Sequence, residues 1–188
     1  MNKKMILSLI LVASFSFVAI FAQGTKEIVN ENLSTIDQNV EIDENQVVGA
    51  SAAQVNDDLT LEDMLQYALE DERLALAEYE FIMDEFNVSR PFSNIIEAEK
   101  SHENAVLYLY DVYGFEIKDF HATDHLVIPD SLEEIYNVGV EAEIANIAMY
   151  DKFLTYDLPD DVRRVFESLK KGSISHLEAF ERQASKYN

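Results

Sequence analysis

Five residues have the types and spacing to hold a metal cation: Glu72, Glu99, His102, Glu143 and His176. Carboxylate oxygen and imidazole nitrogen together suit iron, manganese or zinc. Glu99 and His102 form Glu-x-x-His. On a helix this spacing puts both side chains on one face, where both can reach the same cation or cation pair. Ser173 stands three residues before His176, as Glu99 does before His102. Tyr79 follows Glu72 by the same interval as Tyr150 follows Glu143, a weak internal repeat that suggests two related halves. These tyrosines fit either the apolar core or a second layer of hydrogen-bond donors to the ligands. Asn146, one turn after Glu143, is equally open: a second-layer partner or a plain polar seam residue.

Such residues act together only if helices bring them to one place. From Leu59 onward the apolar residues recur at alternating intervals of four and three, which keeps one stripe of a helix facing a partner. The first predicted helix starts at Thr60-Leu61-Glu62-Asp63, with Thr60 as N-cap and acids in the first turn. Its stripe runs Leu61, Leu65, Ala68, Glu72, Ala75, Tyr79, Ile82, Phe86. The second opens near Ser89-Arg90-Pro91 and runs through Phe92, Ile95, Glu99, His102, Val106, Leu109 and Tyr113 to a cap at Gly114. The third begins at Ser131-Leu132-Glu133-Glu134, a capping box, and carries Glu143. The fourth begins near Pro159-Asp160-Asp161 and carries Ser173 and His176. Short connections make each consecutive pair antiparallel, and the long segment between Gly114 and Asp130 can cross the whole length. The predicted fold is therefore all-α, an antiparallel four-helix bundle of two hairpins over residues 59–188. At 1.5 Å per residue the polar positions fall roughly 18–24 Å from their hairpin turns, one common height within a turn. A buried carboxylate without a partner is costly, so acids in four facing stripes call for a counter-charge.

Composition narrows the function classes. A formal charge of −22 argues against nucleic acid as a partner. The absence of cysteine excludes disulfides, thiolate metal sites and thiol catalysis. Lys3 and Lys4 followed by an uncharged apolar run from Met5 to Ala22 read as a signal peptide over residues 1–22, hence export to the periplasm or exterior. An uncleaved signal anchoring the chain to the membrane is the alternative. Residues 23–58 are acidic, polar and without sustained periodicity, the character of a flexible linker. His121 and His125 lie in the crossover and read as surface residues, and Lys170-Lys171 as a solvated face.

At these motifs the sequence resembles the ferritin-like superfamily, rubrerythrin-type domains in particular. Glu72-Arg73-Leu74-Ala75 with Tyr79 and Glu99-x-x-His102 carry that likeness. The stretch Leu169 to Phe180 is more similar to a narrower uncharacterised branch, the ferritin-like domain-of-unknown-function family 2202. The resemblance covers about residues 59–186. It implies a mononuclear or dinuclear non-haem iron site with oxidase, peroxidase or ferroxidase chemistry on O2 or peroxide, and assembly into a homo-oligomer is compatible with it. Five of the six groups of a di-iron bundle are present. The departure is Ser173, which stands where di-iron members place a bridging Glu. It leads us to expect fewer than two tightly held ions, with the weaker one beside His176. Two further readings stay open: metal binding or storage without turnover, and a structural or interaction bundle with a degenerate site.

Overall fold

The computed structural model describes residues 47–187. They form five α-helices: α1 (Gly49–Val55), α2 (Leu61–Glu85), α3 (Phe92–Tyr113), α4 (Leu132–Phe153) and α5 (Asp160–Ala184), with one 3-10 turn at Ala122–His125 and no strand among the described residues. The expected all-α class holds, and α2 to α5 are the four predicted helices. The expected export signal (1–22) and residues 23–46 of the expected linker lie outside the described residues. No helix among the described residues is long and apolar enough to cross a membrane.

The helix boundaries follow from local chemistry. Thr60 Oγ1 accepts the Asp63 N–H at 3.1 Å and Asp63 Oδ2 accepts the Thr60 N–H at 3.0 Å, so two otherwise orphaned donors are satisfied reciprocally. Ser131 Oγ accepts the Glu134 N–H at the start of α4. Gly114 closes α3 with φ 68°, a left-handed conformation that glycine adopts without the steric cost of a Cβ.

One expectation is corrected. The chain before Leu59 is not irregular throughout, because α1 forms at Gly49–Val55 and buries Ala50, Ala52 and Ala53. Seven residues are too few to hold a helix unaided, and no side chain of its own caps it. Distant residues supply the caps. Glu70 and Asp71 of α2 accept the Gly49 and Ala50 N–H groups, each at 3.0 Å. At the other end Lys152 of α4 donates to the carbonyls of Ala53 and Asn56 at 2.9 and 2.7 Å. No local period in the sequence announces such a helix.

α2 packs along α3 and α4 along α5, with α3 also against α5, and α1 against α2 and α4. The buried apolar residues fall into two clusters. One contains Leu65, Leu69, Val106, Leu109, Tyr150, Phe153, Phe166 and Leu169. The other contains Tyr79, Ile82, Phe92, Ile95, Ile135, Tyr136 and Phe180. Along α2 and α5 the chain passes from the first cluster to the second, and along α3 and α4 it passes from the second to the first. Every polar residue of the predicted centre lies between the two. The apolar layers thus clamp a polar layer and keep bulk water from both of its ends.

Candidate metal centre

In that middle layer each long helix contributes at the same level. α2 brings Glu72, α3 brings Glu99 and His102, α4 brings Glu143, and α5 brings Ser173 and His176. Glu72, Glu99, Glu143 and His176 are buried at 2%, 4%, 3% and 6% exposure, so these carboxylates face one another and not solvent. The five predicted ligands come together as two overlapping triads. Glu72, Glu99 and His102 form one, and Glu99, Glu143 and His176 the other, each with its donor atoms within 4.8 Å of one another. Glu99 is the shared member. One of its oxygens lies 2.9 Å from His102 Nδ1 and the other 2.9 Å from His176 Nδ1. The outer carboxylates are a little farther from their imidazoles, at 3.3 Å for Glu72–His102 and 3.5 Å for Glu143–His176. The two imidazole rings stand 5.9 Å apart.

Burial and mutual charge shape the titration of these groups. Burial drives the Glu72 carboxyl well above the usual carboxylate range, with His102 offsetting only part of it. Glu143 is raised for the same reason against His176. At Glu99 burial also pushes upward, but the bonds to both imidazoles outweigh it and hold the group below the usual range. Burial would depress each histidine, yet the flanking carboxylates raise His102 to about 10 and His176 to about 9. The centre therefore attracts positive charge strongly, and two imidazole protons are the counter-charge the chain itself can supply.

The donors around the ligands are crossed between the halves. Tyr150 of α4 donates to Glu72 Oε1 of α2 at 2.9 Å, and Tyr79 of α2 reaches Glu143 Oε1 of α4 at 3.4 Å. Each tyrosine meets the other helix's glutamate, because side chains seven residues apart on one helix lie too far apart along its axis to meet. Burial first, and then the neighbouring carboxylates, raise both phenols well above their ordinary value, so both remain donors. Ser173 is buried, and its hydroxyl donates to the Leu169 carbonyl of its own helix at 3.4 Å. Among the described residues, two buried side-chain acceptors have no hydrogen-bond partner: Glu143 Oε2 and Asn146 Oδ1. Both triads contain two carboxylates and one imidazole. Ser173 belongs to neither triad, so the donor sets themselves do not give an ion beside His176 one carboxylate fewer than its neighbour.

Gly172 is a functional position that motif reading passed over. A Cβ built there would stand 2.2 Å from His102 Cε1 and 2.6 Å from Nε2. The Cε1–Nε2 side of the imidazole from α3 sits against the bare backbone of α5, and glycine is what admits it. The available signal was a glycine inside a helix, where it costs about 1 kcal/mol relative to alanine and calls for a packing reason. His121 and His125 stay in the crossover as read, the first exposed near Asp119 and the second stacked on Phe120. Lys170 pairs with Asp151, and Lys171 is exposed.

Comparison with known proteins adds three findings. The family described as "Uncharacterized protein domain (DUF2202)" matches residues 61–187. An uncharacterized protein of Methanocaldococcus jannaschii, MJ0754, is 30% identical over 135 residues, covering 63% of this chain and 71% of the relative. The crystal structure of hypothetical protein MJ0754 from Methanococcus jannaschii superposes with a TM-score of 0.61 at 24% identity, over 70% of this chain and 85% of that one. The structural likeness supports the helical fold.

Proposed function

The chain belongs to the DUF2202 family, and on that premise we propose that it is a metal-binding protein of the ferritin-like kind, an antiparallel four-helix bundle with iron or manganese in its middle layer. The single observation that carries this reading is the pair of buried Glu/Glu/His triads sharing Glu99. The donor set fits the cation. Its mixed oxygen and nitrogen donors favour iron, manganese or zinc over calcium or magnesium, which prefer oxygen alone. Glu143 Oε2, buried without a partner, is a free lone pair of the kind a cation satisfies.

Glu72 and His102 would hold one ion, Glu143 and His176 a second, and Glu99 would bridge them. Three carboxylates against two divalent ions leave net positive charge in a low-dielectric layer. We therefore expect the second ion to be held more weakly than the first, and fewer than two tight ions per chain. Iron or manganese, when bound, supplies electron transfer to O2 or peroxide, and an oxidase, peroxidase or ferroxidase activity is the enzymatic form of the proposal. The protein's part is to fix the donors through Tyr79 and Tyr150, exclude water with two apolar layers, and release the imidazole protons as ions bind.

Protein prepared without oxygen and titrated with Fe(II), Mn(II) and Zn(II) tests the reading. We expect one tight ion, a weaker second, and proton release on binding. Failure of all three metals to bind would leave the five residues as an ion-paired polar core that sets helix register. Binding of iron with no change on exposure to O2 or peroxide would favour storage without turnover.

A further inference from the structure

Beside the centre, between the start of α3 and the last turns of α5, lies a surface cavity of about 350 Å³. His176 is one of its walls, so the cavity and the candidate centre share a side chain. Its lining runs against the composition of the chain. The protein has 36 Asp and Glu against 14 Lys and Arg, yet the lining contains Arg90 and Arg182 and no acid. Asn94, Ser175 and Gln183 add neutral hydrogen-bonding groups, and the rest is apolar. The first turn of α3, which borders the cavity, also carries no acid, whereas those of α2, α4 and α5 each carry two.

The two arginines are available. Arg90 makes no ion pair among the described residues. Arg182 lies 3.7 Å from Glu178, with both side chains about two-thirds exposed, a contact that solvent screens almost completely. By contrast Arg73 is tied to Glu103 at 2.7 Å, and Arg163 to the carbonyls of Leu154 and Tyr156.

We infer that this cavity binds a small oxyanion, a carboxylate or phosphate group, held by Arg90 and Arg182 against the His176 wall. The guanidinium fork matches both groups through paired N–H donors. The volume lies in the range of metabolite pockets. In a protein that otherwise repels anions, a cavity cleared of acids and furnished with two arginines gives an anionic molecule a place to dwell next to the centre. The inference extends the metal proposal by naming the charge class of a molecule brought to that site, but the binding itself needs no metal.

The test uses the full chain treated with chelator. Inorganic phosphate and acetate are titrated separately at constant ionic strength while amide and arginine side-chain resonances are followed. We expect saturable shifts at Arg90, Asn94, Ser175 and Arg182 with at least one probe, and the probe that saturates assigns the group. Arg90→Gln and Arg182→Gln should each raise the half-saturation concentration about tenfold, the worth of one charge-assisted hydrogen bond. Arg164→Gln, on α5 but outside the cavity, should leave it unchanged. Non-saturating shifts with both probes, equal shifts with chloride, or binding that survives the double arginine variant would overturn the inference. Metal affinity separates the two readings: the arginine variants should keep it, whereas Glu99→Gln should lose it and keep anion binding.

Discussion

The two triads share a carboxylate and have the same donors, yet they are built differently around it. On the Glu72 side both outer oxygens have partners: Tyr150 holds Oε1 at 2.9 Å and His102 faces Oε2 at 3.3 Å. The imidazole there is pressed against Gly172 and is the more exposed of the two, 14% against 8%. On the Glu143 side the tyrosine bond is longer, one carboxylate oxygen has no partner, and His176 borders a cavity that carries the arginines. One triad is closed by packing and the other is left incomplete. A polar cluster kept only to set helix register gains nothing from an orphaned acceptor, which costs about 1–3 kcal/mol. The Glu143 side is therefore where a cation contributes most, and we expect the tighter ion there.

The largest expected effect tests what the triads share. Glu99→Gln is isosteric and removes the one charge common to both, so it should abolish tight Mn(II) or Fe(II) binding, a loss of about ten- to a hundredfold at each site, which loses one charge-assisted contact. Undiminished binding would show that the triads are independent of their common member. Ser173→Glu is the converse. A fourth carboxylate three residues before His176 should raise the tight stoichiometry to two, read by metal analysis after gel filtration.

Next in size is Gly172→Ala, which addresses one side only. The added methyl must displace the His102 ring, costing roughly 1–3 kcal/mol as an overpacked core site. It should weaken the ion held with Glu72 and spare the ion held with Glu143. A thermal melt and a metal titration on the same variant check both halves, and equal loss of both ions would break the proposed division.

A shallower effect is expected from pH. The chelated protein has His102 raised to about 10 and His176 to about 9, from an ordinary value of 6.5. The imidazolium stabilisation is complete below 6.5 and fades as pH rises through about 9 and then about 10. Melting temperature should therefore fall from neutral to alkaline pH when chelator is present, and less steeply in metal-loaded protein, where ligation has already removed those protons. Equal slopes with and without metal would disconnect the histidines from binding.

The smallest effect separates the tyrosines. Tyr150→Phe removes a 2.9 Å bond to Glu72 and should cost about 1–2 kcal/mol, whereas Tyr79→Phe removes a 3.4 Å contact and should cost less than about 1 kcal/mol. Chemical denaturation of the two variants orders them, and the reverse order would mean the triads are closed alike.

The amino-acid sequence alone determined the four long helices, their caps at Thr60, Gly114 and Ser131, and the five acids and histidines on their inner faces. These are legible because stripe periodicity and capping are local, set by neighbours within a few residues. Similar distances from the hairpin turns, roughly 18–24 Å, also put Glu72, His102, Glu143 and His176 at one level within a helical turn. What only the tertiary structure decided depends on residues far apart in the chain. α1 exists because Glu70, Asp71 and Lys152 cap it from other helices. Tyr79 and Tyr150 serve each other's half because the helices cross-pair their side chains. Gly172 matters because the His102 ring, brought by another helix, fills the space a side chain would take. The cavity beside His176 arises where α3 and α5 meet, joining Arg90 and Arg182 from distant parts of the chain. Periodicity tells which face of a helix turns inward. Which atoms meet there depends on how the helices pack, and packing is a property of the whole chain.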